Sequence, residues 1–313
     1  MAKRLLIVII LVSLLIGAAT LHRGHDWGDD WAWYVLQAKS VLHGTIDQFL
    51  KTSAFTNAES TTYVGPLAYP WGYPLLLVPA YALRGVHPLV LKLPGLFFFT
   101  AFLFVLFLLM RNRLPETESL LIVALFAFSP LMLQFLDQIL SDIPFLFFST
   151  LSLWLMTKNG SPGTLRNIAI GVCIFFVVFI RTTGILLLGS FLLVEFYQLL
   201  VQCKERMIVK KIILDSLTVL VSFAVLFVIS SLLLPGGGGS YLAQYAGMSL
   251  EKIRDFAVRY FEVYALFFGE AGGWKYLYSI LVVFFLAGAW RHWRQDLVFI
   301  IFFVSWMVVH IPY

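Results

Sequence analysis

Nine apolar runs, most of them near twenty residues long, recur from one end of the chain to the other: about 5–21, 88–110, 118–136, 142–157, 167–182, 184–201, 212–234, 274–290 and 296–311. A run of that length crosses the hydrocarbon of a bilayer as one helix, and in lipid only helices and closed barrels satisfy their own backbone. Barrel strands alternate apolar and polar residues with period two, and these runs do not. The expectation is an all-α polytopic membrane protein, a bundle of about nine transmembrane helices with a long first outer loop. Composition agrees, with 60% of the 313 residues hydrophobic and 12% charged, and a mean hydropathy of +0.89. Lys3-Arg4 and the small residues Gly17-Ala18-Ala19 resemble a signal peptide. The first run is nevertheless long enough to span, and more follow it, so an uncleaved first helix is expected.

The net charge of +5 does not imply nucleic acid, because the basic residues fall in short clusters between apolar runs. Lys3-Arg4, Arg111 with Arg113, Lys158 with Arg166, Lys204 to Lys211, and Arg291 with Arg294 occupy every second loop. The positive-inside rule then puts the N-terminus in the cytoplasm of a multi-pass protein of the inner (plasma) membrane. The two cysteines build no disulfide framework: Cys173 lies in an apolar run and Cys203 in a basic loop.

Two long segments fall outside in this topology, about 22–87 and 235–273. The first has a polar middle, Leu50 to Gly65, rich in Thr, Ser and Asn and expected as loop, and closes on the turn-forming string Tyr69-Pro70-Trp71-Gly72-Tyr73-Pro74. In the second, Pro235 and a glycine run end a helix. Leu250, Ile253, Phe256, Tyr260, Phe261, Tyr264 and Phe268 then recur at helical spacing, the pattern of an amphipathic helix in the membrane interface.

Polar groups gather at the outer surface in four places: Asp29-Asp30, the Tyr69–Pro74 turn, Asp137 to Asp142, and Arg181-Thr182-Thr183-Gly184. Two adjacent carboxylates repel each other, and Trp and Tyr around them add desolvation; both raise a carboxylate's pKa toward the range of a general base. The local string reads equally as an exposed acidic turn among headgroup aromatics. Ser141 or Asp142 reads equally as the cap of an apolar helix with Pro144 just inside it, and Arg181 as a side chain snorkelling to the headgroups. His22, His25 and Asp26 have metal-ligand chemistry, but no distant third ligand group accompanies them, so no metal residue is assigned. Glu195, deep in its run, needs a partner or water.

Taken in order, these strings resemble the integral-membrane glycosyltransferases of the GT-C fold, the bacterial relatives of protein O-mannosyltransferases and lipid A aminoarabinose transferases (glycosyltransferase family 39 and its kin). The resemblance rests on Gly28-Asp29-Asp30 followed by Tyr34, Gln37-Ala38-Lys39 and Gly44. It continues through Tyr69-Pro70-Trp71-Gly72-Tyr73-Pro74 and Pro79, then Leu140-Ser141-Asp142-Ile143-Pro144, then Arg181-Thr182-Thr183-Gly184. It covers roughly residues 1–200 and implies one transmembrane glycosyltransferase-like domain over 1–313. The family carries further helices or a soluble outer domain past this region, so a truncated product or a short variant is expected.

What the resemblance implies is inverting transfer of a sugar from a polyprenyl-phosphate donor to a lipid, glycan or protein acceptor at the outer, periplasmic face. Asp29 or Asp30 would be the base; the family's usual second residue is Glu. Asp142 matches a position near the same cavity, and Arg181 one that faces the donor phosphate. The donor carries its own leaving group, so no strong general acid is needed, and charge-assisted hydrogen bonds from Arg181 would stabilise the departing phosphate. Tyr34, Trp71 and Tyr73 would stack on sugar or flank the isoprenoid, or else form an interfacial aromatic belt. The resemblance fixes no cofactor and leaves a divalent metal open. The partners expected are donor, acceptor and bilayer, and no nucleic acid. Two other classes share the pattern: a transporter or flippase of lipid-linked sugars, which would show intramembrane charge and broken helices in paired halves, and a non-catalytic assembly partner.

Overall fold

A computed structural model describes residues 2–25, 30–61, 65–160, 163–236 and 249–310. These are mostly helical, with no strand among them. Fifteen α-helices follow in order: α1 (Ala2–Ala19), α2 (Asp30–His43), α3 (Ile46–Glu59), α4 (Gly72–Arg84), α5 (Pro88–Leu91), α6 (Leu93–Arg111), α7 (Glu116–Ala127), α8 (Pro130–Leu136), α9 (Asp142–Thr157), α10 (Thr164–Ile180), α11 (Ile185–Val201), α12 (Arg206–Leu233), α13 (Leu250–Ala265), α14 (Trp274–His292) and α15 (Leu297–His310).

Each of the nine apolar runs is helical over most of its described residues, but fewer than nine are spans by length and hydropathy. Among the described residues four pass, Ala2–Ala19, Pro88–Arg111, Thr182–Val201 and Arg206–Leu233, or five if the broken pair α7–α8 counts as one. Breaks and short lengths account for the difference. The run at 118–136 is interrupted at Phe128-Ser129 before Pro130, which biases the residue ahead of it away from helix. The helices α9, α10 and α15 are apolar but shorter. Large apolar side chains stand exposed along the outside, among them Ile7, Leu15, Phe97, Phe104, Val225 and Leu232. Lipid accepts such a surface, whereas water does not favour one this extensive.

The chain forms two compact units. The first holds α1 to α7, α8 from Leu133 on, α9, α10 and α12 from Leu217 on. In it α6 packs on α9, α9 on α10, α2 on α4, and α1 against α6 and α7. Phe98, Phe99, Phe102, Leu103, Ile174 and Val177 fill its interior. Ser13, wholly buried on α1, donates to the Ala127 carbonyl at 2.7 Å, so the end of α7 keeps a backbone partner inside the apolar packing.

The segment 22–87, expected as a long loop, contains α2, α3 and α4. Its polar middle is helix as far as Glu59. The hydroxyls that suggested loop turn back onto their own helix: Thr52 donates to Gln48 O, Ser53 to Phe49 O and Thr56 to Thr52 O. Phe49, one turn before the buried Ser53 on the same face, packs with Trp71 and Ala68. Gly44 at φ 66° makes the turn that separates α3 from α2.

The second unit holds α11, α12 as far as Ser216, and α13 to α15, with Ser129–Met132. Ser249 caps α13 by accepting the Lys252 N–H at 3.3 Å, so the amphipathic stretch is a helix as expected. Tyr264 on α13 donates to the Met307 sulfur of α15 at 3.4 Å. Glu195 has the partner its depth demands: Ser216 Oγ donates to its carboxylate at 3.5 Å.

Candidate functional site

The first turn of α2 and the ends of α9 and α10 supply the polar groups. Asp30, Tyr34 and Gln37 recur at spacings of four and three, which puts them on one face of α2. The Tyr69 hydroxyl donates to Asp30 Oδ1 at 2.5 Å. Gln37, with no solvent exposure, clamps the Tyr69 peptide from both sides: its Nε2 donates to Tyr69 O at 2.9 Å, and its Oε1 accepts the Tyr69 N–H at 3.0 Å. The Tyr34 ring lies 5.0 Å from those of both Tyr69 and Tyr73, edge-on to the latter. Its hydroxyl reaches to 3.4 Å from Ser141 Oγ, just before α9. Burial pushes the Tyr34 phenol up to about 12 and Tyr73 well above its ordinary value, so both stay neutral hydrogen-bonding groups near pH 7.

Asp142 opens α9 and Arg181 closes α10, and the two side chains form a direct ion pair. Ser141, at the cap position, makes no side-chain cap bond, and the carboxylate of Asp142 is turned across to Arg181. The Arg181 guanidinium also lies 6.0 Å over the Phe145 ring. Asp142, Tyr34 and Asp30 all act on it electrostatically. Of the residues expected from sequence, Asp30, Tyr34, Tyr73, Asp142 and Arg181 therefore come together. Trp71 is buried in the patch with Phe49 and Ala68, and its indole N–H donates to the Pro235 carbonyl at 2.8 Å. Asp29 lies outside the described residues.

Two motif glycines set the backbone here. A Cβ on Gly72 would sit 2.5 Å from the carbonyl oxygen of Phe179, and one on Gly184 would sit 2.6 Å from that of Val177. The start of α4 and the turn after Arg181 both press on the last turns of α10, and rigid backbone cannot yield as a side chain can. Gly72→Ala is expected to lower stability by about 1–3 kcal/mol, the usual cost of overpacking, read as a lower midpoint of thermal unfolding in detergent.

Three contributors escaped the sequence reading as site residues. Tyr69 and Ser141 lay within motifs but were given no partner. Lys92 was not singled out, although a lone lysine between Leu91 and Leu93 is a visible signal. Its side chain has no solvent exposure and pairs with Asp137 at 2.7 Å. Burial works against ionisation of Asp137, but hydrogen bonds from Lys92 and His22 outweigh it and hold the carboxyl below its usual range. The two histidines considered as metal ligands are engaged elsewhere. The His22 ring meets Asp137 Oδ2 at 2.8 Å, and His25 Nε2 accepts the Ile139 N–H at 2.9 Å. Asp26 lies outside the described residues. Among the described residues no three His, Cys, Asp or Glu side chains gather as a metal site.

The arrangement offers an ionisable carboxylate with a phenol donor, a guanidinium held by a second carboxylate, and tyrosine hydroxyls between them. That set suits proton abstraction beside an anionic leaving group. No family model, no curated protein and no solved structure matches the chain.

Proposed function

We propose that this chain is a membrane glycosyltransferase of the GT-C class, which moves a sugar from a polyprenyl-phosphate donor to a hydroxyl acceptor with inversion at the anomeric carbon. The observation that carries the reading is Tyr34, one turn after Asp30 on α2, with its hydroxyl 3.4 Å from Ser141 Oγ beside the Arg181–Asp142 pair. A carboxylate and a guanidinium thus share one polar cluster, and in this reading they serve as base and anion-binding cation. In the reaction Asp30 takes the acceptor hydroxyl's proton as that oxygen attacks the anomeric carbon. The bond from that carbon to the phosphate oxygen breaks, and polyprenyl phosphate leaves with the bonding pair, its new charge met by Arg181. Asp142 orients the guanidinium. Tyr34 and Tyr73, both buried, back this cluster.

The basic loops support an orientation with the N-terminus in the cytoplasm and this cluster on the outer side. Nine crossings in all would keep every basic cluster inside, with the shorter helices spanning alongside the longer ones. The direct test is release of polyprenyl phosphate and formation of a glycosylated acceptor by purified protein, supplied with polyprenyl-phosphate sugars. Donor binding without bond cleavage favours a non-catalytic partner. Passage of intact donor across vesicle membranes favours a flippase. Either result overturns the transferase reading.

A further inference from the structure

The chain that leads into the acidic pair is tied down by one buried ammonium. Lys92 stands at the junction of α5 and α6 with its side chain out of solvent. A lysine ammonium has three protons to donate, and each has an acceptor: His22 O at 2.8 Å, Gly24 O at 2.8 Å and Asp137 Oδ1 at 2.7 Å. Asp137 returns the hold, accepting the His22 N–H at 2.7 Å on the same oxygen and the His22 ring on the other.

The same strap is fixed again one residue further on. His25 accepts the Ile139 N–H and stacks on Trp31, ring centroids 4.9 Å apart. His25 and Trp31 flank the stretch that contains Asp29 and Asp30. The tie therefore reaches Trp31, the residue next to Asp30. Its far end, Asp137 and Ile139, belongs to the hairpin that delivers Ser141 to Tyr34 and Asp142 to Arg181.

Stability alone does not call for such an arrangement, because apolar side chains of similar volume replace buried ion pairs at little cost. Three acceptors spread over two backbone carbonyls and one carboxylate specify a geometry. With all its protons engaged, the ammonium has no part left for substrate.

We propose that Lys92 is the positioning residue of Asp30, fixing the strap 22–25 against the 137–139 hairpin and, through the His25–Trp31 stack, setting where the base meets the acceptor hydroxyl. The inference rests on the transferase reading. The double variant Lys92→Met with Asp137→Asn removes both charges together and leaves neither buried alone. It is expected to unfold near the wild-type temperature. Amide hydrogen exchange should rise at His22 to His25 and Trp31 to Tyr34 and stay unchanged in α6 and α9.

Affinity for a polyprenyl-phosphate sugar should stay within about twofold, while kcat falls about 10–100-fold, the scale of a misplaced catalytic group. Unchanged exchange in the strap overturns the anchor. Raised exchange with unchanged kcat overturns the positioning role, as does a loss confined to KM. A wild-type protein that transfers nothing from any such donor overturns the reading on which the inference rests. The exchange measurement then still decides whether Lys92 fixes the strap.

Discussion

Asp30→Asn is expected to lower turnover in sugar transfer by about 10²–10⁴-fold, the range that a positioned general base contributes, with donor KM within a few-fold of wild type. Asparagine keeps the size of the side chain and a carbonyl oxygen for the Tyr69 hydroxyl, so the 2.5 Å contact has an acceptor still. What it loses is the capacity to take a proton. The phenol's position is set independently by Gln37, whose amide grips the Tyr69 backbone from both sides, and the local fold should persist. Asp29→Asn belongs in the same experiment. A collapse of turnover in that variant with full activity in Asp30→Asn moves the base to Asp29. Full turnover in both, with the protein folded, ends the assignment of a base to this pair.

The local part of this cluster was readable before the fold was known. Asp30, Tyr34 and Gln37 share a face because helical spacing puts them there. Asp142 and Arg181 stood out as charges at the ends of apolar runs, where lipid tolerates them. Their pairing was not readable, because it depends on α9 and α10 lying side by side, and no local pattern states which helices are neighbours. The partners of Asp30 and Lys92 were hidden for the same reason. Tyr69 is 39 residues from Asp30, and Asp137 is 45 from Lys92.

The helix α3 was missed on composition. Thr, Ser and Asn compete with the backbone and usually mark turns, but here the Thr and Ser hydroxyls accept an intrahelical role while Phe49 supplies the buried anchor. Trp71 was placed with the other aromatics by proximity in sequence. The indole instead follows its need for a hydrogen-bond acceptor and finds the Pro235 carbonyl. The apolar runs outnumber the helices that pass on length because an apolar run need not be one unbroken helix, as the break between α7 and α8 shows.

Arg181→Ala is expected to weaken binding of a polyprenyl-phosphate sugar by about 10–150-fold, which corresponds to the roughly 1.5–3 kcal/mol of a hydrogen bond to a charged group. Two effects add in the same direction. The phosphate loses its cation, and the carboxylate of Asp142, now without its ion-pair partner, faces the same anion. The second effect can be separated from the first. Arg181→Ala combined with Asp142→Asn removes the repulsion and should recover part of the lost affinity, whereas independent sites would give a double variant no better than the worse single one. Asp142→Asn alone should cost less than Arg181→Ala, since an amide oxygen can still accept from the guanidinium. Arg181→Lys should fall between them: it keeps the charge but loses the planar fork that holds Asp142 and phosphate together. The measurement is donor affinity in lipid nanodiscs, with circular dichroism to confirm the helical fold. Unchanged affinity in Arg181→Ala removes this residue from the donor site and leaves the ion pair as the link that fastens α9 to α10.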